Sequence, residues 1–214
     1  MVMQFDIIHN KGLRCCFIGN KGNINRELHR HFNANGVDAE LVSVEYALAQ
    51  PPEWLESRQF FCALSGLDLK IELVRSLKTD NWFSIVDKSC SFPFYDINRI
   101  GVNTLIMMQN SILDSNNHIG DHCLLYGCVF SHAVVVEDYC VIAPNTYIAF
   151  YTIGEGTHIG VGSSIIGRLN QANYIASYSN ITAHSRVSKD LSVTGTYINN
   201  RLLNSEGSRD RHIL

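Results

Sequence analysis

Nine histidines and seven cysteines supply most of the reactive side chains in this 214-residue chain. A histidine ordinarily titrates near ~6.5, so one held beside a reacting nucleophile can take its proton at neutral pH. His132 stands in the run SHAVVVEDYCVIAPNT (residues 131–146), and its type alone fits a turn or a subunit contact equally well. A second pattern is Gly19-Asn20-Lys21-Gly22-Asn23, which follows an apolar run and precedes a helical one. A glycine turn at a helix start offers free N–H groups to a phosphate, and Lys21 could pair with a diphosphate. The spacing is not G-x-G-x-x-G, however, and an ordinary strand-to-helix turn uses the same residues. Ser65-Gly66 ends a later apolar run and would form the second wall of such a site.

The cysteines are odd in number and no CxxC occurs, so neither a disulfide framework nor a zinc site follows. They read as reduced thiols, mostly small buried hydrophobes. Seventeen Lys and Arg against 20 Asp and Glu give a net charge of −3, which argues against a general binder of nucleic-acid backbones. Hydrophobic residues make up 46% and charged residues 17%, too apolar for a disordered chain. No apolar run reaches the ~18 residues of a membrane span. The start, MVMQFDIIHNKG, lacks the charged-then-apolar pattern of a secretion signal and does not read as secreted, and with reduced cysteines a cytoplasmic protein is expected.

Two kinds of element must position these residues. Residues 14–19 (RCCFIG), 40–44 (ELVSV) and 59–65 (QFFCALS) read as strands. Residues 25–33 and 68–78 read as helices, the first carrying Leu28 and Phe32 on one face and ending at Asn35-Gly36. Alternation of this kind predicts a short parallel sheet in an α/β, Rossmann-like unit over residues 1–86.

From Ile100 the period changes to six. Ile100, Ile106 and Ile112 are followed by Ile119 and Leu125, then by Val136, Ile142 and Ile148. Ile153, Ile159 and Ile165 come next, and after the interruption GRLNQAN so do Ile175, Ile181, Val187 and Val193. A six-residue period marks a parallel β-helix, in which three short strands and three turns close a coil of about 18 residues. Sandwich strands recur at about 8–12 residues instead. The β-helix is expected over residues 87–203, with a frayed polar tail over 204–214.

The combination resembles the left-handed β-helix sugar acyltransferases of the sialic-acid and bacillosamine O-/N-acetyltransferase type. The likeness runs over roughly residues 12–198, through CFIGNKGNINRELHRHF (16–32), ALSGLDLKIEL (63–73) and the repeat array around Ser131-His132. It implies a left-handed β-helix, a homotrimer, and acetyl-CoA as co-substrate without a metal. It also implies a nucleotide-linked amino sugar as acceptor, feeding a surface glycan such as lipopolysaccharide. His132 would be the general base. A backbone N–H at Ala149 or Phe150 would hold the oxyanion. Val161, Gly162, Ala176, Ser177 and Tyr178 would line the coenzyme groove, and Gly19, Asn20, Lys21, Gly22, Asn23, Ser65 and Gly66 the nucleotide-sugar site.

The chain departs from the pattern at several points. The carboxylate that usually follows the histidine is replaced by Ala133, with Glu137 and Asp138 as candidate substitutes. A second family histidine is replaced by Val141, and GTYINNR (195–201) stands where a Gly-Asn-Pro-Ala-Lys motif closes the family's repeat. An N-acetyltransferase is therefore weighed against a sugar O-acetyltransferase and a non-catalytic binding subunit. His118 and His122 are expected to be exposed corner residues rather than zinc ligands, because paired ligands in β-helix carbonic anhydrases usually stand five apart.

Overall fold

The computed structural model describes residues 4–19 and 23–205. The N-terminal unit is built on three parallel strands, β2 (Arg14–Ile18), β3 (Ala39–Val42) and β4 (Arg58–Phe61), in the order β3-β2-β4. β4 stops at Phe61, so the last part of the 59–65 run is an extended segment beyond the sheet. Helix α1 (Asn23–Ala34) follows β2, and α4 (Leu67–Leu77) follows β4. Gly36 ends the α1 connection at φ +81, a conformation that glycine adopts without steric cost. Two one-turn helices that the apolar spacing does not announce, α2 (Val44–Leu48) and α3 (Pro52–Glu56), fill the β3–β4 connection.

From residue 100 the chain coils into a parallel β-helix. One face stacks strands 111–112, 129–130, 147–149, 164–166 and 186–187, and a second stacks 118–119, 135–136, 152–153 and 174–175. The third face does not begin at residue 87. Its nine-stranded sheet starts with β1 (Phe5–Ile8), antiparallel to β5 (Ser84–Asp87), and β5 pairs in parallel with the first β-helix strand, 105–107. The ladder thus crosses the sequence boundary between the two units.

The six-residue period places the interior side chains. Ile119, Leu125, Val136, Ile142, Ile148, Ile153, Ile159, Ile165, Ile175, Ile181 and Val187 are all fully buried in one continuous core. Each contributes roughly 1.5–3 kcal/mol by leaving water. Two corrections follow. Phe130 occupies the slot that looked skipped between Leu125 and Val136, pairing with Ile112 and Ile148. Val193 is 53% exposed, and Leu191, bridged to Ile175, closes the last inner rung in its place.

The N-terminal sheet is covered on both sides. Phe17, Phe61, Phe83, Leu28 and Phe32 pack against Leu105 and Leu124 on the outer surface of the β-helix's third face. Cys16, Ile18 and Phe60 pack under Val44, Leu73 and Leu77 on the other side. The N-terminal unit therefore packs chiefly on the third face of the β-helix.

Candidate active site

Register along the first β-helix face brings Ile112, Phe130 and Ile148 into one column. Residues two further on in each coil, Asp114, His132 and Phe150, therefore share one corner of the prism. His132 Nδ1 lies 3.1 Å from Asp114 Oδ2. The rings of His132 and Phe150 stack at 5.9 Å with an interplanar angle of 27°. The Asp114 carboxyl is held below the usual carboxylate range, chiefly by the Asn116 amide that donates to Oδ1 at 3.0 Å; His132 and the Ala133 amide add to this, and slight burial opposes it. An ionised carboxylate only accepts hydrogen bonds, so Nδ1 is the donor in this pair. The His132 side chain is 60% exposed and that of Asp114 17%: the carboxylate is tucked in and the imidazole faces solvent.

The acids considered as partners for His132 do other work. Glu137 Oε2 accepts from the Glu155 amide at 2.9 Å, and Asp138 Oδ1 from the Asp121 amide at 2.8 Å, each tying one coil corner to the next. The Phe150 amide is not free either. It donates to the His132 carbonyl at 2.8 Å, so within one chain it offers no hydrogen to an oxyanion. Ala149 is a buried strand residue paired with Ile166, and its carbonyl accepts from the Gly167 amide.

The residues expected along the coenzyme groove stand on different corners. Val161 and Gly162 lie on the corner between the third face and the first, and Ala176, Ser177 and Tyr178 on the corner between the second and the third. Neither group shares the corner of His132 and Phe150, so they do not converge within a single chain. Gly162 has φ +69, and a Cβ there would lie 2.5 Å from His184 Nδ1. Its backbone is approached by that ring. Ala176 is buried, the Ser177 hydroxyl meets the Tyr174 hydroxyl at 3.1 Å, and Tyr178 donates to Glu155 Oε1 at 2.7 Å.

In the N-terminal unit, Gly19 and Ser65–Gly66 come to the same end of the parallel sheet, beyond the C-termini of β2 and β4. Asn25, in the first turn of α1 and 2% exposed, joins them: Nδ2 donates to the Ile18 carbonyl at 3.4 Å and Oδ1 accepts from the Ala63 amide at 3.2 Å. A Cβ on Gly19 would lie 2.4 Å from that Nδ2, so the turn closes over Asn25 only with glycine. Ser65 is exposed, and a Cβ on Gly66 would meet nothing within 4 Å. Asn20, Lys21 and Gly22 lie outside the described residues, as does the Asn23 side chain; Asn23 begins α1.

His118 is exposed on the second face, but His122 is not the open corner residue expected. It is 6% exposed, stacks on Tyr139 at 4.7 Å and meets the edge of Trp82. Asn103 donates to its Nδ1 at 2.9 Å. Its carbonyl accepts from the buried Lys70 amine at 2.6 Å. Burial, with Lys70 adding, lowers the His122 pKa to about 3. Among the described residues no group of three His, Cys, Asp or Glu could hold a metal ion. No described helix is long and apolar enough to cross a membrane.

Asp114 and Asn25 were not singled out in the sequence. Asp114 had an available signal, since a coil of about 18 residues puts it directly beneath His132. Asn25 had none, because its role depends on two strand ends meeting.

No protein-family model and no curated protein sequence matches the chain. Solved structures do match its fold. The acetyltransferase domain of PglB from Neisseria gonorrhoeae is 14% identical, with a TM-score of 0.70, covering 89% of this chain and 100% of that one. WeeI from Acinetobacter baumannii is 17% identical, with a TM-score of 0.73 and coverage of 89% and 100%. PerB from Caulobacter crescentus, solved with CoA and GDP-perosamine, is 19% identical, with a TM-score of 0.72 and coverage of 93% and 100%. The α/β unit and the β-helix docked on it are thus the fold of these three solved structures over nearly the whole chain.

Proposed function

We propose that the protein is an acetyl-CoA-dependent N-acetyltransferase whose acceptor is the amino group of a nucleotide-linked sugar, with a 4-amino-4,6-dideoxy sugar as the first candidate. The observation that carries this reading is the Asp114–His132 pair, presented outward on a fold shared with sugar N-acetyltransferases. The sugar amine attacks the thioester carbonyl carbon. His132 Nε2 takes the proton that the nitrogen loses, and Nδ1–H stays on the Asp114 carboxylate. Collapse of the tetrahedral intermediate breaks the C–S bond, and the departing CoA thiolate receives a proton. CoA and GDP-perosamine in the PerB structure support this pair of ligand classes.

The nucleotide would sit at the sheet end formed by Gly19, Asn25 and Ser65–Gly66, where α/β folds bind such groups. Helix α1 has no acid in its first turn, whereas α4 has Asp68. The start of α1 is therefore the better seat for a diphosphate. Val161, Gly162 and Ala176–Tyr178 lie on corners away from His132, so a coenzyme that touches them and reaches His132 needs a second copy of the chain. A homotrimer supplies those neighbours. Sedimentation as a monomer at assay concentration would count against the shared groove.

The test is mass spectrometry of the protein with acetyl-CoA and UDP-, dTDP- and GDP-linked 4-amino sugars, alongside matched hydroxyl analogues. Gain of one acetyl group on an amino sugar, lost in His132→Ala, is expected. Gain on a hydroxyl sugar alone would make the enzyme an O-acetyltransferase, and no gain on any acceptor would leave a binding subunit.

A further inference from the structure

The six-residue repeat is broken at residues 167–173, and the break falls on the corner that carries His132. Ile153 pairs with Ile175, twenty-two residues on, whereas Val136 pairs with Ile153, seventeen on. The added residues lead into Asn173, the regular residue before the next second-face strand, which is 7% exposed. Its Nδ2 donates to three carbonyls: Phe150 at 2.8 Å, Arg168 at 3.0 Å and Gln171 at 3.0 Å. A Cβ on Gly167 would lie 2.2 Å from the Phe150 carbonyl oxygen and 2.4 Å from Asn173 Nδ2, so only glycine lets this clasp close.

The clasp reaches His132 through Phe150. The Phe150 amide donates to the His132 carbonyl, and the Phe150 carbonyl accepts from Asn173. Held at both ends, Phe150 keeps φ +56, a conformation that bulky side chains rarely adopt, and its ring lies over the imidazole. Asp114 fixes one edge of that imidazole and Phe150 fixes its plane. A ring that is 60% exposed has few other contacts to stop it turning.

We infer that Asn173 is a positioning residue for His132, acting through Phe150. This deepens the proposed acyl transfer and rests on His132 being its base.

The test compares wild type with Asn173→Ala, Asn173→Leu, Phe150→Leu, Phe150→Gly and Phe150→Tyr by NMR of the His132 ring and by steady-state kinetics. The Phe150 ring current displaces the His132 ring-proton resonances in the wild type. Asn173→Ala, Asn173→Leu, Phe150→Leu and Phe150→Gly are expected to remove that displacement and to lower kcat about tenfold, with KM for both substrates within about twofold. Phe150→Tyr is expected to restore both readouts. Asn173→Leu keeps the size of the side chain without its donors, so it tests the same bond should Asn173→Ala fail to fold. Unmoved His132 resonances in folded Asn173→Ala or Asn173→Leu overturn the inference, as do moved resonances with unchanged kcat. A wild type that transfers no acyl group instead refutes the proposed reaction, and the resonances still decide whether the clasp holds the ring.

Discussion

Asp114 and His132 are eighteen residues apart in the chain and 3.1 Å apart in space, because one coil of the β-helix separates them. In the proposed reaction the carboxylate holds Nδ1 protonated and leaves Nε2 to act as the base. Asp114→Asn removes this preference, since an amide can donate to Nδ1 as readily as it accepts. We expect kcat to fall about a hundredfold with little change in KM, and His132→Ala to lose about 10²–10⁴-fold. Nitrogen-15 NMR should show the Nδ1–H tautomer in wild type and a mixture in Asp114→Asn. A single unchanged tautomer together with full activity would remove Asp114 from the mechanism.

The coil geometry also explains what the sequence disclosed. The inward positions were legible because Ile142, Ile148, Ile153 and Ile159 obey one rule, a branched aliphatic at each strand centre. Phe130 was missed because it fills the same slot with an aromatic ring. The corners were less legible. Glycine takes a left-handed turn without steric cost, yet His122, Tyr139, Phe150 and Tyr178 all adopt positive φ at these corners. The ladder makes this tolerable: the Tyr139 amide bonds to the Asp121 carbonyl, and the His122 amide to that of Val102. These bonds offset a cost of roughly 1–2 kcal/mol per left-handed residue. At the site, His132 was singled out through the family resemblance, because its type alone fits a turn or a subunit contact equally well. Asp114 required three-dimensional register, because proximity in sequence favoured Glu137 and Asp138, which bond to coil amides instead.

The end of the repeat gives a direct test of that register. Leu191 is 3% exposed and stands over Ile175, while Val193 is 53% exposed. Leu191→Ala is expected to cost about 2–5 kcal/mol in urea unfolding. Val193→Ala should stay within about 0.5 kcal/mol. The reverse order would return Val193 to the inner column.

Asn25 joins the ends of β2 and β4, and with them both walls of the proposed nucleotide site. Asn25→Ala leaves the Ala63 amide without its partner and should cost about 1–3 kcal/mol. Gly19→Ala drives a methyl group against the Asn25 amide and should act on the same joint. Both are expected to raise KM for the nucleotide sugar several-fold while KM for acetyl-CoA holds, since His132 and its corner belong to the other unit. Equal loss of affinity for both substrates would show that the two sites are not separate.

Acid should destabilise the protein through His122. In the unfolded chain this imidazole takes up a proton as pH falls through 6.5; in the folded protein, burial and the nearby Lys70 amine delay uptake to about pH 3. Between those values the unfolded state binds more protons, so the stabilising contribution is fully present above 6.5 and is lost as pH falls towards 3. The slope approaches about 1.4 kcal/mol per pH unit. Burial holds the Lys70 amine below the ordinary lysine value as well, so its contribution is likewise lost as pH falls through its folded value. The two can be separated with His122→Asn, because asparagine tolerates the φ of +60 and does not titrate. Urea unfolding at pH 7 and pH 5 should show a smaller loss for His122→Asn than for wild type, by about 1.4 kcal/mol per unit once the unfolded histidine is protonated. Equal losses in the two proteins would mean that His122 takes up its proton over the same pH range folded and unfolded, which its burial and the nearby Lys70 amine oppose.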